Sequence, residues 1–292
     1  MRDELLDLID RRLFIGGLAA GVLPAWPALA HNAAVSIKDL EKHLGARLGV
    51  AMRDTGSGAR FDYRGGERFP LASTFKVLAA AAVLAKADSG AGPLDRRVPI
   101  ARENLVTYSP AVEKRVGQDM SLAELCDAAI TLSDNAAGNL LLAEIGGPQG
   151  LTRFMRSIGD EVTCLDRIEP DLNEATPGDL RDTTSPSAMA ASLAKLLLSD
   201  ALSPASRKQL ADWMIATRTG DKRIRAGLPG GWRAGDKTGT GAFGSTNDVA
   251  ILWPPGRKPI ILAVYLTQCS RSQAERDEAI AEVARNLTAH KH

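Results

Sequence analysis

The chain has 292 residues, 45% of them hydrophobic and only 4% aromatic, enough for one large globular unit or two closely packed ones and too apolar for disorder. Lysine and arginine number 36 against 35 acidic residues, and no basic block occurs, which argues against a nucleic-acid partner. Cys126, Cys164 and Cys269 are odd in number and follow no metal-ligand spacing, so they are expected to be core filler without a disulfide.

In chain order, Arg11-Arg12-Leu13-Phe14-Ile15 leads into an apolar run ending at Leu23, followed by the small-x-small stretch Ala28-Leu29-Ala30. This pattern predicts an export signal over 1–30, similar to a twin-arginine signal, and a mature chain from about His31 in the periplasm or outside the cell. The run is too short to span a bilayer comfortably, so no stable membrane association is expected after its removal. Residues 48–54 and 60–63 read as two strands around the turn Thr55-Gly56-Ser57-Gly58. The segment after Ser73 is a strong helix-forming run, Val77 to Leu84. Further helix starts are marked by the capping box Ser121-x-x-Glu124 and by Ser185-Pro186 and Ser203-Pro204. Strands are expected to return only near the C-terminus, at 232–240, 248–253 and 260–267. The closing helix carries Ile280, Val283, Ala284 and Leu287 on one stripe, suited to covering a sheet. Strands at both ends of the chain predict a discontinuous α/β domain of 31–71 and 217–292 around an inserted helical unit of 72–216.

The chemistry narrows by exclusion. His31, His43, His290 and His292 all lie near the ends of the mature chain, away from any Ser, Cys or acidic motif. A Ser-His-Asp triad and a zinc site are therefore not expected, and the catalytic base should be a lysine or a carboxylate. Ser73-Thr74-Phe75-Lys76 supplies one arrangement, since a three-residue step on a helix brings the lysine beneath the serine at the positive end of the helix dipole. The same four residues also describe a capping serine followed by a solvated lysine. Two more motifs decide between these readings, Ser133-Asp134-Asn135 and Lys237-Thr238-Gly239, in the order known for serine β-lactamases.

With these three motifs the chain resembles the class A serine β-lactamases from about Asp39 to Leu287. The segment from Arg167 to Glu174, with Glu169, Pro170 and Asn173, is similar to that family's omega loop, here about 167–182. The resemblance implies an α+β fold: a five-stranded antiparallel sheet flanked by helices, with an all-helical insertion. It implies a monomer without cofactor or metal, whose partner is a small-molecule β-lactam. It further implies that Ser73 attacks the lactam carbonyl after losing its proton to Lys76, or to Glu169 through a water. The oxyanion donors would be the backbone N–H groups of Ser73 and Thr240. Ser133 would pass a proton to the leaving nitrogen with Lys237 supporting it, while Asn135 binds the substrate amide and orders Lys76. Glu169 and Asn173 would hold and activate the hydrolytic water. Arg167 and Asp182 would pin the loop's ends, and Glu169-Pro170 is a candidate cis peptide.

A cationic, hydroxyl-rich pocket for the substrate carboxylate would draw on Lys237, Thr238, Thr240 and an arginine. Thr246 stands where some relatives place that arginine, which leaves Arg223 at the alternative position, with Arg225 nearby. Tyr108 would line the cleft wall, and Gly239 suits a close approach of backbone to ligand. Ala72 and Gly241 stand where some carbapenem-hydrolysing relatives have a cysteine pair, so carbapenemase activity is not favoured. Three other functions remain on the sequence: a penicillin-sensitive peptidase or transpeptidase, a non-hydrolysing β-lactam sensor, and a serine-lysine amidase. Glu169 and Asn173 argue against the first, because they are the deacylating parts.

Overall fold

The computed structural model describes residues 26–289, with side chains from Asn32 onward. The export signal expected over 1–30 lies outside these residues except for 26–30, which open the first helix, α1 (Trp26–Leu44).

Five strands form the principal sheet: β1 (Arg47–Asp54), β2 (Arg60–Tyr63), β7 (Arg233–Thr240), β8 (Thr246–Trp253) and β9 (Ile260–Thr267). Their order is β2-β1-β9-β8-β7 and every pairing is antiparallel. The central strand β9 is buried along its whole length, which its unbroken run Ile-Ile-Leu-Ala-Val-Tyr-Leu-Thr requires of a strand covered on both faces. Alternation then divides its side chains. Leu262, Val264 and Leu266 join α1 and the closing helix α8 (Gln273–Thr288) in one core, through residues such as Ile37, Ile280 and Val283. Ile261, Ala263 and Tyr265 face the other way into a second core shared with the helices between the strands.

Those helices are α2 (Phe75–Asp88), α3 (Leu122–Thr131), α4 (Asn135–Glu144), α5 (Gly147–Ser157), α6 (Pro186–Leu198) and α7 (Pro204–Ile215). From Phe75 to Leu84 every residue of α2 is buried, Lys76 included, because the run is apolar around the whole helix. The expected starts are present: Ser121 and Glu124 form a reciprocal capping box, and Ser185 and Ser203 cap α6 and α7. Each such cap contributes about 1 kcal/mol.

Two expectations are corrected. The segment 72–216 is not free of strands: β4 (Arg97–Pro99) pairs with β5 (Asp119–Ser121), and β6 (Thr183–Thr184) pairs with β3 (Phe69–Pro70). Pairs of two or three residues are too short to leave an alternating pattern in the sequence. The β3–β6 pair matters for the site, because with the bond from Leu71 N–H to the Asp182 carbonyl (2.8 Å) it ties the exit of the loop 167–182 to the approach to Ser73. The second correction concerns the cysteines. All three are free, and Cys126 and Cys269 are buried, but Cys164 is only half-buried, its thiol 3.3 Å from the Leu180 carbonyl beneath that loop.

Candidate active site

The predicted residues meet where the N-terminus of α2 abuts the outer strand β7. Ser73 sits in the 3₁₀ turn Ala72–Thr74 that leads directly into α2, and Lys76 is one turn on. A cleft of about 310 Å³ opens here, lined by Ser73, Ser133, Asn135, Asn173, Thr240 and Arg223 among others, and no histidine among the described residues lines it.

Ser73 Oγ lies 2.9 Å from Lys76 Nζ and 3.3 Å from Glu169 Oε1, so both candidate bases reach it directly. The Lys76 ammonium is fully buried and is held by the Ser133 carbonyl (2.8 Å), Asn135 Oδ1 (2.6 Å) and Glu169 Oε1 (3.0 Å). Burial pushes the Lys76 amine below its usual range, and the Glu169 charge opposes this only in part. Lys237 is equally buried and is pushed further down, by desolvation first and by Lys76 second. Its Nζ donates to Ser133 Oγ (3.0 Å) and to the Thr238 carbonyl (2.8 Å), the placement expected of a cation supporting that hydroxyl.

Ser133 precedes α4, whose capping residue is Asp134. One Asp134 oxygen accepts from Ala137 N–H (2.9 Å) and the other from Ala111 and Val112 N–H (2.8 and 3.0 Å). That carboxylate fastens the segment bearing Tyr108 to α4, and Asn135 Nδ2 adds a bond to the Thr107 carbonyl at 2.7 Å. Ala72, Tyr108, Ser133 and Asp182 all hold left-handed backbone, with φ of 42°, 66°, 60° and 54°. Such conformations cost on the order of 1–3 kcal/mol each and are kept where the surroundings over-determine them.

The loop 167–182 folds as expected. Arg167 Nε donates to Asp182 Oδ2 at 2.6 Å, and Asp182 Oδ1 accepts from the Asp166 and Arg167 N–H groups. The Glu169-Pro170 peptide is cis. Glu169 is 1% exposed, and its second oxygen accepts from the Asn173 amide. Asn139, which the sequence reading missed, bonds both the N–H and the carbonyl of Glu169 (2.8 and 2.9 Å). Its position four residues after Asn135 on one helix face is the signal that was available.

Arg223 is not a surface charge. It is 7% exposed, with Nε on Asp277 (2.7 Å), Nη1 on the Gly239 and Asn247 carbonyls (2.9 and 2.7 Å) and Nη2 on Thr240 Oγ1 (2.9 Å). Arg225 instead points to Asp236 and the carbonyls of Met214 and Ile215, and does not line the cleft. Thr246 accepts from Arg276 Nε (3.0 Å). Thr219, also unforeseen, lines the cleft and shares a hydrogen bond with Thr238 (2.6 Å between hydroxyls). Tyr108 lies on the wall, 57% exposed.

Gly239 lines the cleft, and a second close approach accompanies the expected one: a Cβ there would lie 3.1 Å from the Leu71 carbonyl oxygen and 3.3 Å from Ala72 Cβ, so β7 also comes close to the Ser73 turn. Gly138 plays a comparable part that sequence spacing did not reveal: a Cβ on it would come within 2.9 Å of Lys76 Cε.

Two fully buried carboxyls lie on the adjacent strands β7 and β8, Asp236 and Asp248. Asp248 Oδ2 accepts from Ile224 N–H (3.0 Å), which steadies the turn after Arg223. Burial, then repulsion by Asp236, pushes the Asp248 carboxyl well above the usual range. Between its unfolded and folded pKa values such an acid is neutral in the fold but ionised when unfolded, so its contribution to stability is complete below the unfolded pKa of about 3.9 and is lost as pH rises toward the folded value. Each pH unit across that window removes about 1.4 kcal/mol. Asp248→Asn, which cannot ionise, should therefore gain stability relative to the parent as pH rises from 4.5 to 7.5, measured by urea unfolding. A difference that does not change with pH would refute this.

Among the described residues no group of His, Cys, Asp and Glu is arranged to hold a metal ion. An enclosed serine flanked by a lysine and a carboxylate, with two further buried basic side chains beside it, defines an acyl-transfer hydrolase. Comparison with known proteins makes this specific. The model of the beta-lactamase enzyme family matches residues 32–291. Beta-lactamase AST-1 of Nocardia asteroides is 52% identical, covering 85% of this chain and 80% of its own length. The carbapenem-hydrolyzing beta-lactamase KPC of Klebsiella oxytoca is 49% identical over 89% of this chain and 92% of its own. The solved structure of an ancestral class A beta-lactamase superposes with a TM-score of 0.86 at 62% identity, covering 87% of this chain and 98% of that one. The chain belongs to the beta-lactamase enzyme family, in class A.

Proposed function

We propose that this protein hydrolyses β-lactam antibiotics by forming an acyl-enzyme on Ser73 and releasing it with a water activated by Glu169, which confers resistance. The observation that carries the proposal is that Glu169 Oε1 lies 3.3 Å from Ser73 Oγ while its other oxygen accepts from the Asn173 amide. A base so placed serves the ester as well as the free serine, which acylation alone does not require. In the first step the Ser73 proton passes to Lys76 or to Glu169, and the oxyanion is met by the Ser73 and Thr240 N–H groups. Ser133, bonded to Lys237, protonates the departing nitrogen. Thr238, Thr240, Lys237 and Arg223 receive the substrate carboxylate, and Asn135 the side-chain amide.

Penicillins and cephalosporins are the proposed substrates, with Ala72 and Gly241 in place of a cysteine pair. Action as a monomer in the periplasm or medium, after export through the signal at 1–30, belongs to the same proposal. No helix among the described residues is long and apolar enough to cross a membrane.

Purified protein mixed with excess benzylpenicillin should open the ring over many turnovers, with unmodified mass recovered at the end. A single stoichiometric adduct that persists would instead indicate a sensor or a transpeptidase.

A further inference from the structure

The Ser73 turn and the strand bearing Thr240 are separate pieces of chain, yet an oxyanion hole needs their two N–H groups aimed at one point. One side chain joins them. Asn247 on β8 donates its amide to the Pro70 carbonyl (2.9 Å) and to the Leu71 carbonyl (3.3 Å), both just before Ser73. In the β7–β8 ladder the same residue is paired with Gly239, next to Thr240, and its carbonyl accepts from Arg223 Nη1 at 2.7 Å. The Leu71 carbonyl is already occupied by Thr74, through its N–H (3.2 Å) and its hydroxyl (2.7 Å), so the Asn247 amide acts on a turn that is otherwise internally closed.

We propose that Asn247 is a positioning residue for the reaction, holding the Ser73 turn in register with β7 so that the Ser73 and Thr240 N–H groups converge on the oxyanion. Stability alone accounts poorly for an amide here, because its Oδ1 is buried with no hydrogen-bond partner, a cost that a purely structural filler would avoid. Gly239 complements it. With no side chain at 239 the strand approaches the turn closely, and the Asn247 amide sets how far the turn is drawn toward the sheet. The proposal rests on Ser73 being the nucleophile with these two donors.

The test compares the parent with Asn247→Ala and Asn247→Ser, the latter too short to reach both carbonyls. Stopped-flow acylation and single-turnover deacylation with a chromogenic cephalosporin give the two rate constants, and burst amplitude gives the folded, active fraction. Affinity for a phenylboronic acid, which adds to the serine as a tetrahedral anion, is the third readout. Because the oxyanion forms in both steps, both rate constants should fall together, by about tenfold, short of the roughly 10²–10³ that losing a whole donor costs. Boronate affinity should fall by a similar factor at full amplitude. Unchanged rates at full amplitude would overturn the proposal, and so would reduced amplitude at unchanged rates, which marks a stability role only. A parent protein that is never acylated would refute the underlying mechanism, and that is seen without any variant.

Discussion

Glu169→Ala should open one equivalent of benzylpenicillin and then stop, leaving a covalent adduct on Ser73 that persists for the length of an intact-mass measurement. The variant removes the carboxylate that, among the described residues, reaches Ser73 Oγ, at 3.3 Å. Acylation keeps a partner in Lys76, whose amine is 2.9 Å from the same oxygen and is pushed down by burial toward the neutral form a base requires. Deacylation keeps no such substitute, because the Asn173 amide can orient a water but cannot take its proton. Loss of a positioned general base costs on the order of 10²–10⁴ in rate. The loop should survive the change, since Asn139 holds the backbone of residue 169 and Arg167 with Asp182 closes the loop's ends. Turnover at the parent rate would show that another group activates the water.

Ser73→Ala is expected to lose covalent chemistry altogether, with a fall in turnover on the order of 10⁶, as for removal of the nucleophile in other serine hydrolases. Binding should persist. Arg223, Thr238, Thr240 and Asn135 all line the cleft independently of the serine hydroxyl, so calorimetry should still detect non-covalent penicillin binding. No mass increment should appear under conditions that saturate the parent. An adduct of the same mass on the variant would move the nucleophile elsewhere, with Ser133, 3.0 Å from Lys237 Nζ, the first residue to examine.

Arg223 gives the pocket its most heavily constrained cation, and its setting shows how the site depends on distant chain. Its guanidinium is fixed by Asp277 on α8 and by carbonyls on β7 and β8. Asp248, one residue past Asn247, holds the N–H of Ile224. A short stretch of β8 thus supports the anion-binding arginine on one side and the Ser73 turn on the other. The sequence predicts this strand only from Asp248, whereas β8 begins at Thr246. Polar residues stand in this strand because the Asn247 amide serves the Ser73 turn, Asp248 Oδ2 the Ile224 N–H and Thr246 Oγ1 the Arg276 guanidinium, although Asn247 Oδ1 and Asp248 Oδ1 keep no partner, and no local pattern reveals those contacts.

The sequence by itself determined the sheet's five strands, the capped starts of α3, α6 and α7, and the motifs from which the candidate site residues are drawn. These depend on local causes: apolar runs bounded by turn residues for strands, serine and proline at helix starts, and short motifs whose spacing reflects a single helical turn or strand. For Ser73 and Lys76 this reached the contact itself, since three residues on a helix leave little freedom. Tertiary structure decided which Ser73 partners converge, because Glu169, Ser133 and Lys237 lie 96, 60 and 164 residues from it along the chain. It also decided that Arg223 is buried in the cleft and Arg225 is not, and that Gly239 makes room for the Ser73 turn. The supporting parts played by Asn139, Gly138 and Asn247 emerged only there. Such parts are set by the approach of elements distant in sequence, and packing at that range leaves no periodic trace in the chain.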